Sequence, residues 1–244
     1  MLVLAGLGIS DEKGITLEEL EESKSSDHVF IELYTSIWLG NVENLEKIIG
    51  KKVRILKRKD LEEESSKILD LATNKKVMIF IPGDPLAATT HSSLIFECIR
   101  RGIKFKIIHN SSIFTAICET GLHIYKFGKS VTIPLKDKTR GQIHSVANTI
   151  KENRKRGLHT LCLLDIDVEN NKFLMVDEAV TFLIENNIIE EEEKIIVASC
   201  LGTKKSRIFF SEARDILFRK FELPAVIIIP GDLHFSERDI LERL

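Results

Sequence analysis

Short runs of β-branched and aromatic residues alternate with amphipathic stretches along almost the whole chain, the pattern of an α/β fold built on mainly parallel sheets. Apolar runs predict strands over Leu2–Gly8, Val29–Tyr34, Val53–Leu56, Val77–Ile81 and Phe105–Ile108. Between them the spacing predicts helices with explicit ends. Thr16 with Glu19 three residues later makes a capping box, Asp60 with Glu63 offers an aspartate version of it, and Gly50 and Gly102 stand where helices stop. A second series predicts strands over 130–134, 160–166, 194–199, 207–210 and 225–229, with helices over 143–156, 177–186, 211–220 and 236–244. The short polar sequence from His109 to Ser112 separates the two series and supplies a helix N-cap. The expected organisation is an N-terminal α/β domain over 1–109 and a C-terminal α/β domain over 110–244, joined tightly.

Composition narrows the classes of function. The 244 residues are 43% hydrophobic and 30% charged, enough to bury a sizeable core and unlike a disordered chain. Lys and Arg number 35 against 37 Asp and Glu, so no strong positive field exists to hold nucleic acid or anionic lipid, and direct binding to either is not expected. No apolar run approaches the roughly 20 residues of a membrane helix. The opening Met1–Ser10 lacks the basic flank of a leader and reads as a first strand, which places the expected location in the cytoplasm. Cys98, Cys118, Cys162 and Cys200 are too widely spaced for a zinc motif or a disulfide framework, so reduced thiols and no metal are expected.

The chemistry-bearing signals lie at strand ends. Ile79 to Pro85 (IFIPGDP) and Ile227 to His234 (IIIPGDLH) each run from a buried apolar strand into Pro-Gly-Asp. In open α/β sheets ligands bind beyond the carboxyl ends of strands, where glycine lets backbone approach a ligand and aspartate accepts hydrogen bonds from amines or hydroxyls. Asp84 is the stronger candidate because its loop continues through small residues (PLAATTHSS), whereas Asp232 reads as a turn cap. A second glycine-rich strand end, Ala5 to Ser10 (AGLGIS), fits neither the dinucleotide fingerprint nor the P-loop, but offers a flat backbone surface for an adenosine-sized ligand. No nucleophile signature is present. Of the seven histidines, His91 is the one candidate general base.

Taken in order, GLGISDEKGIT (6–16), YTS (34–36), PGDPLAATTHSSL (82–94), IHNSSI (108–113), GLHIYKFGKS (121–130), GLHTLCLLDI (157–166), DEA (177–179) and IIIPGDLH (227–234) resemble the diphthine synthases, in the tetrapyrrole-methylase-like group of methyltransferases. The resemblance implies two α/β domains with S-adenosylmethionine in the cleft between them, a homodimer, and methylation of the 3-amino-3-carboxypropyl arm on a modified histidine of translation elongation factor 2. Matched position by position, it implies cofactor contacts from Ile9, Asp84, Ala87, Ser112, Ile113, Leu164, Cys200 and Ala225. Tyr34, His91 and Lys126 lie in matching blocks without an assigned role. Two departures touch the later contacts: Ala198, Ser199, Cys200 and Leu201 stand where the family shows Ala-Arg-x-Gly, and Ala225 stands where it shows His. Two other readings are a tetrapyrrole-type small-molecule methyltransferase and a non-catalytic adenine-nucleotide-binding protein.

Overall fold

The computed structural model describes residues 1–138 and 142–244, which form two compact units, Met1–Phe114 and Thr115–Leu244. The first unit contains β1 (Leu2–Gly6), α1 (Leu17–Ser25), β2 (His28–Glu32), α2 (Val42–Ile49), β3 (Arg54–Leu56), α3 (Arg58–Glu62), α4 (Ser66–Asn74), β4 (Val77–Ile81), α5 (Ser92–Arg101) and β5 (Phe105–Ile108). Its five strands pair in the order β3-β2-β4-β1-β5, all parallel. A parallel sheet is covered on both faces, which explains why β1 and β4 are apolar at nearly every position. Leu2, Leu4, Ile79 and Ile81 pack with Ile68 and Leu69 of α4 and Leu94 and Cys98 of α5. On the other face Val3, Ala5, Met78 and Phe80 pack with Leu45 and Ile49 of α2 and with Leu20 of α1.

The helix following β1 therefore lies on one face and the helix following β4 on the other, although the two strands are neighbours. Their connections leave in opposite directions, the arrangement beyond whose strand ends open α/β sheets bind ligands. That topological switch point falls on the two glycine-bearing strand ends singled out from sequence.

Local capping explains the start of α1. Thr16 Oγ1 accepts from the Glu19 amide at 3.1 Å while Glu19 Oε2 accepts from the Thr16 amide at 2.5 Å. The Asp60 reading changes: Lys57 is the N-cap of α3, and Asp60 is its third residue, reaching back to the Lys57 amide at 2.8 Å. The aspartate caps from inside the helix rather than from in front of it.

The short helix α6 (Ile113–Ala116) runs across the division between the units. The second unit continues with β6 (Val131–Ile133), α7 (Ile143–Arg154), β7 (Thr160–Leu164), β8 (Ile166–Asp167), β9 (Lys172–Phe173), α8 (Val176–Glu185), β10 (Lys194–Ser199), β11 (Arg207–Glu212), α9 (Ala213–Ile216), β12 (Ala225–Ile229) and α10 (Phe235–Leu241). Its main sheet runs β11-β10-β12-β7-β6, and here the expectation of mainly parallel pairing fails. Only β6 and β7 are parallel; β10 pairs antiparallel with both β11 and β12, and β12 antiparallel with β7. The connection from Cys200 to Ser206 is too short to carry a crossover, so β11 folds straight back on β10. The same ladder overrides the helix expected from Ser211: Ser211 and Glu212 pair with Ile195 and Lys194, and only Ala213–Ile216 turns helical. Among the described residues no helix is long and apolar enough to cross a membrane.

Candidate functional site at the strand ends

In the first unit the ends of β4, β1 and β5 lie side by side. The Gly8 amide donates to Gly83 O at 3.1 Å and the Gly83 amide to Gly8 O at 2.9 Å, an antiparallel bridge that clamps the two chains just beyond the parallel sheet. Gly8 has φ +68°, a conformation that L side chains rarely adopt. The flat surface expected over AGLGIS is already occupied. A Cβ at Gly6 would stand 2.4 Å from Gly83 O and 2.7 Å from Asn110 Cβ, and one at Gly8 would stand 2.9 Å from Ser111 Oγ and 3.0 Å from Asn110 Oδ1. These two glycines make room for the protein's own β5 loop. At Gly83 a Cβ would meet only Ser111 O at 4.0 Å, so open backbone is found there instead.

Asp84 is half-buried, and its carboxylate organises the loop. Oδ1 accepts from the Leu86 amide at 3.0 Å; Oδ2 takes the Asn110 amide at 3.3 Å and lies 2.7 Å from His109 Nδ1. The Ala87 amide donates to Asp84 O at 3.3 Å, closing a tight turn. Three of roughly four lone-pair sites are thereby used, and one on Oδ1 remains for a ligand donor. Of the residues named from sequence, Ile9 follows Gly8, Asp84 and Ala87 share the turn after β4, and Ser112 and Ile113 follow β5. Ser112 is buried and accepts from the Phe114 amide at 3.1 Å, capping α6. Five of the eight named cofactor positions thus sit on the segments that follow three adjacent strands, Ile113 as the first residue of α6.

Sequence reasoning missed Asn110 and Glu19. Asn110 lies inside the IHNSSI block, but its partners are distant in sequence: its Nδ2 is 3.0 Å from Gly6 O, 2.9 Å from Gly14 O and 3.3 Å from Glu19 Oε2. Glu19, visible only as a capping residue, is fully buried, and burial pushes its carboxyl up to about 7 against the opposing hydrogen bonds from Thr16 and Asn110. The folded value lies above the unfolded one, so this group's stabilisation is complete below pH 4.5 and is lost as pH rises towards 7. Accordingly, the melting temperature of wild type is expected to gain on that of Glu19→Gln as pH falls from 8 to 4.5. Parallel curves for the two proteins would contradict this.

At the end of β2 a second polar cluster is fully enclosed. Glu32 accepts from the Tyr34 and Thr35 amides at 2.9 and 3.1 Å and from the Thr35 hydroxyl. Burial pushes its carboxyl up while these bonds pull it down. Burial likewise raises the Tyr34 phenol, with the Arg58 guanidinium 5.0 Å over its ring. His91 is 1% exposed. Its Nδ1 lies 3.3 Å from Pro85 O, which can only accept, so that nitrogen carries the proton and Nε2 faces the Tyr34 hydroxyl at 3.5 Å. Burial lowers its pKa and favours the neutral ring.

The second Pro-Gly-Asp is not equivalent to the first. Gly231 fits against the backbone of Gly157 and Leu158, where a Cβ would come within 2.5 Å, and its amide donates to His159 Nδ1 at 2.9 Å. The Asp232 amide donates to Gly157 O, and Asp232 O accepts from Lys126 Nζ. The anchor is Glu237, fully buried, which accepts from Lys126 Nζ at 2.7 Å, the His123 and His234 amides at 2.8 and 2.7 Å, and His159 Nε2 at 3.2 Å. Burial alone would raise this carboxyl, but the donors outweigh it and hold it at about 2. Lys126 is thus an internal partner of Glu237.

Leu164, Cys200 and Ala225 gather at one end of the second sheet. Ser199 pairs with Ala225 and Val226 with Leu163, and the Cys200 amide donates to Pro224 O at 2.8 Å. Cys200 and Ala225 are buried, and Cys200 adopts φ +50°.

Residues 1–217 match the family model of tetrapyrrole (corrin/porphyrin) methylases. The chain is 39% identical to diphthine synthase of Methanocaldococcus jannaschii over 254 aligned positions, covering 100% of this chain and 98% of that protein, and 37% identical to diphthine synthase of Methanococcus aeolicus with the same coverage. A crystal structure of diphthine synthase superposes with a TM-score of 0.89 at 34% identity, spanning 100% of this chain and 95% of that one. Full-length similarity of this extent, in sequence and in three dimensions, shows that the chain belongs to the diphthine synthase family of tetrapyrrole-type methylases.

Proposed function

We propose that the protein transfers methyl groups from S-adenosylmethionine to the 3-amino-3-carboxypropyl arm of the modified histidine in translation elongation factor 2, a reaction of diphthamide biosynthesis. The observation that carries this reading is the full-length similarity to diphthine synthases. The fit of the site supports it: exposed backbone at Gly83, small residues at Ala87 and Ala88, and a spare acceptor on Asp84 suit a ligand bearing an amine and ribose hydroxyls. Ile9, Asp84, Ala87, Ser112 and Ile113 of the first unit are proposed to hold the cofactor, and Leu164, Cys200 and Ala225 of the second are proposed as further contacts. When bound, the cofactor supplies a methyl group already activated on a sulfonium.

The chain's own task is then to orient the incoming nucleophile and exclude water. Such positioning is worth up to about 7 to 11 kcal/mol. A loop of small apolar residues favours loss of charge at sulfur better than water does. His91, with both ring nitrogens engaged, is proposed to support the Pro85 turn, and an amine nucleophile would give up its proton elsewhere. The protein is further proposed to work as a cytoplasmic homodimer; light scattering that gives only single-chain mass across micromolar dilution would reject the dimer.

The decisive experiment is intact-mass analysis of elongation factor 2 carrying the unmethylated arm, after incubation with protein and cofactor. The mass is expected to rise in steps of one methylene. Cofactor binding with no mass change, alongside methylation of a tetrapyrrole, would place the chain in the small-molecule branch, and calorimetric preference for ATP over S-adenosylmethionine would make it a nucleotide binder.

The Asp84→Asn variant probes the cofactor end of the reading. It keeps an acceptor for the Leu86 amide but loses the charge, and affinity is expected to fall roughly 10- to 150-fold, the range of one charge-assisted hydrogen bond. If Asp84 serves only its own turn, the apo melting temperature will drop while the dissociation constant of the folded protein stays unchanged.

A further inference from the structure

We propose that Asn110 is the positioning residue of the cofactor site: its side chain ties the β1 end to the loop after it, while its backbone amide donates to the Asp84 carboxylate. The inference rests on the cofactor reading above. Five strand-end and loop groups converge on this one residue. Its side-chain amide shares two hydrogens among Gly6 O at 3.0 Å, Gly14 O at 2.9 Å and Glu19 Oε2 at 3.3 Å. Its backbone amide donates to Asp84 Oδ2 at 3.3 Å, and its Oδ1 accepts from the Ser111 amide at 2.7 Å.

The chemistry demanded at this point selects asparagine. Two carbonyls and a carboxylate on one side require two donors, and the Ser111 amide on the other requires an acceptor, all from a side chain short enough to stay at the strand end. Aspartate supplies no donor when ionised, serine supplies one, and alanine none. The surrounding sequence has adapted to the group: Gly6 and Gly8 lack the Cβ atoms that would stand 2.7 Å from Asn110 Cβ and 3.0 Å from its Oδ1. The glycines of GLG therefore serve the asparagine. The β1 end that this side chain holds through Gly6 O continues two residues on into Gly8, whose backbone is bridged to Gly83, so the asparagine anchors the strand end to which the open backbone at Gly83 is joined.

A residue that only stabilised the fold would lower the melting temperature and leave the binding constant of the folded protein alone. The test uses full-length protein with S-adenosylmethionine as titrant, and variants Asn110→Ala, Asn110→Ser and Asn110→Asp. Apo melting temperatures are measured alongside, and Asn110→Ser, which keeps one donor, serves if the alanine variant does not fold. Affinity is expected to fall about 10- to 100-fold in Asn110→Ala and less in Asn110→Ser, as two to three hydrogen bonds to the site are lost. In Asn110→Asp an ionised carboxylate would face the Gly6 and Gly14 carbonyls and supply no donor to either, so at pH 8.5 affinity is expected to fall at least as far as in Asn110→Ala. Unchanged affinity in the folded variants overturns the role assigned to Asn110. Failure of wild type to bind the cofactor overturns the functional reading and this inference with it.

Discussion

Replacing Glu237 by alanine is expected to destabilise the second unit by about 3 to 5 kcal/mol, the range seen when one partner is removed from a buried charged network. The carboxylate serves four donors at 2.7 to 3.2 Å: Lys126 Nζ, the His123 and His234 amides, and the His159 ring. The variant leaves two backbone amides and a fully buried imidazole N–H without their acceptor, and each such orphan costs about 1 to 3 kcal/mol. The pH dependence gives an independent check. The folded carboxyl sits at about 2, below its unfolded value of 4.5, so its stabilisation is complete above pH 4.5 and is lost as pH falls towards 2. Thermal unfolding across pH 2 to 6 should show wild type losing stability over that window and Glu237→Ala losing less. Variant and wild-type curves of equal slope would mean that the network does not control the protonation of Glu237.

The Gly6→Ala variant should be affected nearly as much in stability, and more in binding. Its new methyl carbon would lie 2.4 Å from Gly83 O, 2.7 Å from Asn110 Cβ and 3.2 Å from Pro85 Cδ, two of them atoms of the Pro-Gly-Asp loop. Relief requires the ends of β1 and β4 to part, which breaks the Gly8–Gly83 bridge. Overpacking of this kind costs about 1 to 3 kcal/mol. The dissociation constant for S-adenosylmethionine should rise beyond that of Asp84→Asn, because the whole strand-end geometry moves. Gly50→Ala is the control. Gly50 has φ +71° but nothing within 4 Å of a new Cβ, so it should lose only about 1 kcal/mol through backbone strain and keep full affinity. Equal losses in the two variants would mean that the crowding at Gly6 has no functional consequence.

What the sequence by itself determined about this protein is local. The continuous apolar runs of β1, β4, β10 and β12 are legible because strands covered on both faces need no polar positions. The α1 capping box is legible because its partners are three residues apart, and the strand-end location of Asp84 because Pro-Gly-Asp follows an apolar run. The Asp60 cap was misread by one helical turn, since the same residues can cap from in front of a helix or from its third position. The tertiary structure decided everything that depends on pairing distant segments. The order β3-β2-β4-β1-β5 puts β1 beside β4, and only that adjacency brings the two glycine-bearing ends together. The antiparallel second sheet follows from a hairpin whose partner strand carries no periodicity of its own. Two copies of Pro-Gly-Asp, told apart in sequence only by the small residues that follow Asp84, part company in the structure because one faces open backbone and the other packs on Gly157 and is held by Glu237 through Lys126 and His159. Beyond the neighbouring Ser111 and His234 amides, the partners of Asn110 and Glu237 lie up to 114 residues away and left no local signal. A hydrogen-bonding residue announces its role in sequence only when its partners are near in the chain, and these two act by joining segments that meet only once the sheets have formed.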